Sequence, residues 1–184
     1  MSSRPALFLD RDGVINVDHA YVIRREDFEF IDGIFDLCRA AKKLGYLIIV
    51  VTNQAGIGRG YYTEADFMEL TAWMRDAFSR KGAPIDGVYY CPYHPEHGIG
   101  DYKVDAPCRK PFPGMLFQAA QEHDVDLSKS VLIGDKFSDI EAGVAAGVGR
   151  NFLYCHDRAS PKLPDENLIS NLLDVIPALE RDCS

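Results

Sequence analysis

The run YLIIVVT (residues 46–52) is apolar at both its odd and its even positions and rich in β-branched residues. A strand with one wet face alternates apolar with polar residues, so a run without alternation belongs to a strand covered on both faces. Sheets covered on both sides are mostly parallel, and parallel strands need long crossovers, usually helices. The rest of the chain supplies them. Ala6–Leu9 predicts a first strand, and Ile34, Leu37, Cys38, Ala41 and Leu44 then recur at helical spacing and stop at Gly45. Thr63, with Asp66 three residues on, opens a second helix carrying Phe67, Leu70, Trp73, Met74 and Phe78, which read as core. GVYYC, SVLIGD and RNFLYC read as further strands. Helices are expected in PGMLFQAAQEH, around Ile140–Ala146 and over Glu166–Leu179. The pattern predicts an α/β fold: one Rossmann-like domain over residues 1–184, a mostly parallel central sheet with helices on both faces.

In such sheets ligands collect beyond the carboxyl ends of the strands. The polar residues that break the apolar runs lie there. Asp10 and Asp12 follow the first strand, Thr52-Asn53-Gln54 the second, and Asp135 the fourth. If the chain stays extended through Asp10 and Asp12, both carboxylates point to one side, an arrangement that needs a cation, a proton or chemistry to offset it. Asp10 with Asp135 makes a hard, oxygen-rich site with few protein ligands, which suits Mg²⁺. Taken alone, Gly134-Asp135 reads as a turn and a helix cap. In VTNQAGIGRG a hydroxyl, two amides and a glycine-rich loop with Arg59 could hold phosphate oxygens, although no P-loop Gly-Lys-Ser/Thr follows. CRKPFPG sets Arg109 and Lys110 before a helix start, where an anion is favoured; the plain alternative is a solvated basic pair.

Composition removes several classes of partner. A net charge of −8 without a basic stripe argues against nucleic acid and anionic membrane surfaces. No apolar run approaches the roughly 20 residues of a membrane span, and the N-terminus does not read as a signal peptide. Five cysteines without a compact framework fit reduced thiols, so a cytoplasmic location is expected.

DRDGV, TNQ, RKPFPGM and GDKFSD, in that order, resemble the four motifs of the haloacid dehalogenase-like (HAD) phosphatases. The longer strings FLDRDGVIN, VTNQAGIGRG and CPYHPE…CRKPFPGM are similar to the D-glycero-D-manno-heptose-1,7-bisphosphate 7-phosphatases and the related histidinol-phosphate phosphatases, over Pro5–Leu153. The resemblance implies a phosphomonoesterase with Asp10 as nucleophile and Asp12 as general acid and base. Asp10, Asp135 and the Asp12 backbone carbonyl would hold Mg²⁺. Thr52 and Lys110 would bind the transferring phosphoryl group, with Asn53, Arg59 and Arg109 on the rest of the substrate and Lys136 and Asp139 behind the metal. It further implies a small phosphorylated sugar as substrate, from a surface-glycan pathway such as that of lipopolysaccharide. Histidinol phosphate, another small phosphomonoester, or phosphate binding without turnover are the alternatives. A monomer is expected.

The resemblance breaks at the family's zinc loop. Cys91 and Cys108 align with one ligand of each Cys-x-His and Cys-x-Cys pair, whereas Tyr93 and Ala106 replace the other two. A structural zinc needs four nitrogen or sulfur ligands, so no zinc is expected; Cys91, His94 and Cys108, with His97 and Asp105 nearby, are the residues that would otherwise hold it. Roughly 18 residues separate Cys91 from Arg109, longer than an ordinary connection, and such a loop suits a lid. The roughly 40 residues between Asp10 and Thr52 are taken up by one loop and one helix–strand unit, leaving no separate cap domain.

Overall fold

The computed structural model describes residues 3–155 and 167–180. Among them, six parallel strands form one sheet: β1 (Ala6–Leu9), β2 (Leu47–Asn53), β3 (Gly87–Cys91), β4 (Val131–Gly134), β5 (Arg150–Tyr154) and β6 (Leu168–Ile169), in the order β3-β2-β1-β4-β5-β6. The helices are α1 (Ile34–Lys43), α2 (Ala55–Gly58), α3 (Glu64–Arg80), α4 (Gly114–His123), α5 (Phe137–Ala146) and α6 (Ile176–Glu180).

The two faces of the sheet sort by sequence parity. Leu7, Leu9, Ile48 and Val50 face one core, filled by Leu37, Cys38 and Ala41 of α1 and by Leu70, Met74 and Phe78 of α3. Ala6, Phe8, Ile49 and Val51 face the other, filled by Met115, Leu116 and Ala119 of α4 and by Ile140, Ala142 and Ala146 of α5. This is the period of two that an unalternated apolar strand requires. α1 ends where expected, because Gly45 takes φ +84° and turns the chain into β2. Trp73 is only partly buried at the margin of its core, stacked on Phe30.

The segment expected as a closing helix differs. Leu168 and Ile169 pair with Leu153 and Tyr154 as an edge strand. Asn171 then restarts the chain by accepting the Leu173 N–H (2.9 Å), opening a short 3₁₀ turn at Leu172–Val175 that leads into α6. An Asn with an unpaired side chain favours a cap over a helix interior, which divides the run. Glu166 and His156 lie outside the described residues.

The Thr63–Asp66 capping box forms as its spacing predicts: the Thr63 hydroxyl accepts the Asp66 N–H at 3.1 Å, and Asp66 accepts the Thr63 N–H at 2.8 Å. Thr63→Ala is therefore expected to destabilise the protein by about 1 kcal/mol in urea unfolding while leaving turnover unchanged.

Candidate active site

β1 is the switch point of the sheet: the chain winds outward from it to β2 and β3 on one side and to β4, β5 and β6 on the other. Leu9 is in register with Ile133, and the Asp10 N–H donates to the Ile133 carbonyl (3.1 Å). β1 and β4 thus release their chains at one level, and Asp10, Asp135 and Asp139 converge with carboxylate oxygens within 4.8 Å of one another. Two glycines make room. Gly13 holds φ +92°, and a Cβ on it would collide with the Asp135 carboxylate; a Cβ on Gly134 would collide with Asp139. Both motif glycines are therefore spaces reserved for acids.

Lys110 joins this cluster. Its amine, 4% exposed, donates to Asp10 Oδ1 (2.9 Å) and the Val51 carbonyl (2.8 Å) and pairs with Asp139 Oδ1 (2.6 Å). Burial works against its charge, but Asp10 and Asp139 hold its pKa above the ordinary lysine value. Asp139 also caps α5, accepting the Lys136 N–H at 3.0 Å. Asn53 grips the other end of the lysine: its amide donates to the Lys110 carbonyl and accepts the Lys110 N–H, each at 3.1 Å. The amide expected to touch substrate thus holds the backbone of Lys110. α4 begins only at Gly114, so Lys110 serves the acids at the sheet's end, away from a helix terminus.

The two acids of DRD do not crowd each other. β1 ends at Leu9, the chain turns, and each carboxylate has its own cation. Lys110 takes Asp10, while Arg11, 1% exposed, grips Asp12 with Nε (3.2 Å) and Nη2 (3.0 Å) and donates to the Val22 carbonyl (2.7 Å). Asn16 and Gln54 each donate a further bond to Asp12 at 3.0 Å.

A cleft of ≈ 630 Å³ opens over these groups, with Asp10, Asp12, Thr52, Asn53 and Lys110 in its lining together with Arg59, His94, Arg109, Lys136 and Asp139. Arg109 is braced by the Tyr93 carbonyl (3.2 Å), and Arg59 has a buried Nε without a partner. Burial, then the charges of Arg109 and Arg59, hold the His94 pKa below its ordinary value. His94 Nδ1 accepts the backbone N–H groups of Glu96 (3.2 Å) and His97 (3.1 Å), leaving Nε2 as its free nitrogen. Asp18 spans toward Lys136 (3.4 Å) at the rim. Within the glycine-rich loop, Ala55–Gly58 forms one short helix, α2.

Sequence reasoning passed over Arg11, Asn16 and Tyr62 and gave Gln54 no role of its own. The available signal was the buried-site logic itself: an arginine between two acids, and an amide two residues beyond Thr52.

The acidic cluster fits a divalent cation. Asp135 Oδ1 is buried without a hydrogen-bond partner, and the donor set is all oxygen. Cys91, His94 and Cys108 do not fit zinc. Asp10, Asp135 and Asp139 are the one group of three close potential ligands found among the described residues. The Cys91 and Cys108 sulfurs face each other, but with His94 they make three nitrogen or sulfur ligands where a structural zinc takes four. Instead, Cys91 and Ala106 pack into the core beneath α4.

Burial drives the pKa of Asp10 well above the ordinary carboxylate range, against the pull of Lys110, and burial also raises that of Asp135. Between the ordinary and the raised values the folded protein keeps protons that the unfolded chain has released. Their contribution to stability is full below the ordinary value and is lost as pH rises through the folded values. Metal-free protein should therefore lose stability as pH rises above the ordinary carboxylate range, read as Tm. Asp135→Asn should flatten that decline, raise the neutral Tm of chelated protein and abolish stabilisation by added divalent cation. Chelation of protein freed of divalent cations at the acidic cluster should leave no zinc in elemental analysis and no further change in Tm.

The HAD-hydrolase-like family model matches residues 107–152. The chain is 59% identical to the D-glycero-α-D-manno-heptose-1,7-bisphosphate 7-phosphatase of Burkholderia mallei, over 95% of this chain and 93% of that one. It is 52% identical to the β-anomer 7-phosphatase of Vibrio cholerae over 82% and 81%. Among solved structures, the D,D-heptose 1,7-bisphosphate phosphatase of B. bronchiseptica, in complex with magnesium and phosphate, superposes with TM-score 0.82 at 27% identity, covering 97% of this chain and 99% of that one. A HAD-like protein of Mesorhizobium loti superposes with TM-score 0.88 at 33% identity, covering 99% and 88%. With this much of both chains matched, the protein belongs to the heptose-1,7-bisphosphate 7-phosphatase family of the HAD-like hydrolases.

Proposed function

We propose that this protein is a Mg²⁺-dependent phosphatase that removes the 7-phosphate of D-glycero-D-manno-heptose 1,7-bisphosphate through an aspartyl phosphate. One observation carries the reading: a single cleft joins the Asp10–Lys110–Asp139 cluster to two arginines, Arg59 and Arg109. That arrangement offers a reacting site for one phosphate and a guanidinium pair for another, since the planar fork of arginine matches phosphate oxygens. The relatives' names supply the sugar, and the magnesium and phosphate of the B. bronchiseptica complex support the cofactor.

In this reading Asp10 attacks phosphorus as the bond to the sugar oxygen breaks, and Asp12 passes a proton to that oxygen. Asp12 then takes a proton from the water that cleaves the aspartyl phosphate and frees inorganic phosphate. Lys110 and the Thr52 hydroxyl hold the phosphoryl oxygens, and Lys110 also fixes Asp10 in place. Mg²⁺, bound by Asp10, Asp135 and the Asp12 carbonyl, would neutralise charge on the transferring group. Lys136 and Asp139 stand behind it, and Asn53 acts through Lys110. A cytoplasmic site would keep Cys91 and Cys108 reduced, and the product would serve a surface-glycan precursor.

The test is phosphate release from both anomers of heptose 1,7-bisphosphate, from histidinol phosphate and from fructose 1,6-bisphosphate, with and without Mg²⁺. The expected result is Mg²⁺-dependent turnover of the heptose, led by the α anomer named for the 59% identical relative. Asp10→Asn should abolish turnover, a loss of about 10⁴-fold or more. Equal slow rates on all four substrates would discard the heptose.

A further inference from the structure

Gln54 sits between two groups that the reaction uses. Its Nε2 donates to Asp12 Oδ2 (3.0 Å) and to Thr52 Oγ1 (2.9 Å), and the residue is 2% exposed. An amide can be turned over so that its carbonyl lies where its NH₂ was. Here the turned form would aim a carbonyl oxygen at the Asp12 carboxylate. Tyr62 opposes that form, because its hydroxyl donates to Gln54 Oε1 at 2.5 Å, a bond the turned amide would lose. Burial, then Asp12 and Tyr21 against the opposing pull of Arg11, leaves the Tyr62 pKa pushed up to about 12, so the phenol keeps its proton and remains a donor.

The glycine-rich loop is built around this ring. A Cβ on Gly56 would collide with Tyr62 Cε1 and lie 2.9 Å from Tyr21 Cδ1, so the ring reaches Gln54 only because residue 56 has no side chain. Phe67, beside Tyr62 in the same small apolar cluster, also lies under the Arg11 guanidinium (5.6 Å to the ring centre). The cluster thus supports both sides of Asp12.

We propose that Tyr62 and Gln54 form a positioning relay: Tyr62 fixes the orientation of the Gln54 amide, and Gln54 thereby aims the Asp12 carboxyl at the leaving oxygen. The inference rests on the reading of Asp12 as the general acid. Both residues act through Asp12, so both are positioning residues. The relay gives Gln54 and the glycine-rich loop a purpose apart from phosphate binding.

Leaving-group dependence tests it. Phenyl phosphate and p-nitrophenyl phosphate have nearly the same shape and no sugar, but phenolate is much the poorer leaving group and needs the proton more. kcat/KM reports the steps up to departure of the leaving group. A misaimed acid should hurt phenyl phosphate more, whereas a disturbed Thr52 or a loosened fold hurts both alike. Tyr62→Phe keeps the ring and the packing. It should lower kcat/KM for phenyl phosphate about tenfold and for p-nitrophenyl phosphate about twofold or less, a part of the roughly 10²–10⁴-fold that a general acid contributes. In a Gln54→Leu background Tyr62→Phe should have no further effect, because the relay is already cut. Equal losses on the two substrates, or an undiminished effect of Tyr62→Phe in the Gln54→Leu protein, would overturn the proposal. Asp12→Asn, measured alongside, separates this from failure of the mechanism. Leaving-group dependence there, with none in Tyr62→Phe, rejects the relay alone; none in Asp12→Asn removes the acid assignment and the relay with it.

Discussion

One buried amine ties the site to the fold. Lys110 reaches from the loop before α4 to the end of β1 through Asp10, to the end of β2 through the Val51 carbonyl, and to the first turn of α5 through Asp139. Burying a charge costs several kcal/mol unless it is paired and hydrogen-bonded, and removing one member of a buried pair costs about 3–5 kcal/mol because its partner is left alone. Each contact of Lys110 therefore depends on the others. The cluster nonetheless remains acidic: Asp10, Asp135 and Asp139 are three carboxyls beside one buried lysine, with Lys136 only at the exposed edge. Burial, with the neighbouring acids adding to it, raises the carboxylate pKa values of Asp10 and Asp135, and surplus negative charge in a buried place attracts a cation. In the proposed reading, metal and the transferring phosphate would complete this balance of charge.

The neighbouring carboxylate has the opposite surroundings. Asp12 is 17% exposed at its side chain, and Arg11, Asn16 and Gln54 all donate to it. Two acids separated by a single residue thus differ in burial, in cation and in hydrogen bonding. Such divergence is how one short sequence supports two chemical roles, and here the turn after Leu9 achieves it by sending the two side chains to different partners. A nucleophile gains from a fixed lysine and a dry setting. A group that must give and take protons gains from reach toward the cleft and from donors that fix its orientation.

Much of this was legible in the sequence, for identifiable reasons. Strands of a parallel sheet are buried runs, and their ends must carry the ligand groups, so Asp10, Thr52 and Asp135 could be placed from apolar patterning alone. The closing segment was not legible: Leu168 and Ile169 have an apolar character that suits a sheet edge as well as a helix face, and Asn171 decides between them only through its cap. The glycines of DRDG and IGD looked like turn residues, because the reason for them is spatial: they leave room for Asp135 and Asp139, which lie far away in sequence or on the far side of a turn. Arg11 was hidden for the same reason, since no local pattern announces that an arginine will be fully buried against its neighbour.

The loop between Cys91 and Arg109 separates chemistry from selection. Where the family uses four zinc ligands, this chain keeps two sulfurs in contact and fills the remaining space with Ala106 and Tyr93. A metal-clamped loop draws its rigidity from a few strong bonds. This one draws it from apolar packing, the Tyr93–Tyr102 ring pair, and a row of backbone bonds such as His94 N–H to the Tyr102 carbonyl (3.1 Å). The Tyr93 carbonyl braces Arg109 directly. A loss of zinc ligands therefore need not disturb Asp10 or Lys110, which are anchored to the sheet. In the proposed reading its effect falls on Arg109 and His94, the groups that would face the part of the substrate away from the reacting phosphate. Changes in such a loop would then alter which phosphate ester enters the cleft, while the proposed bond-breaking groups stay fixed at the carboxyl ends of β1, β2 and β4.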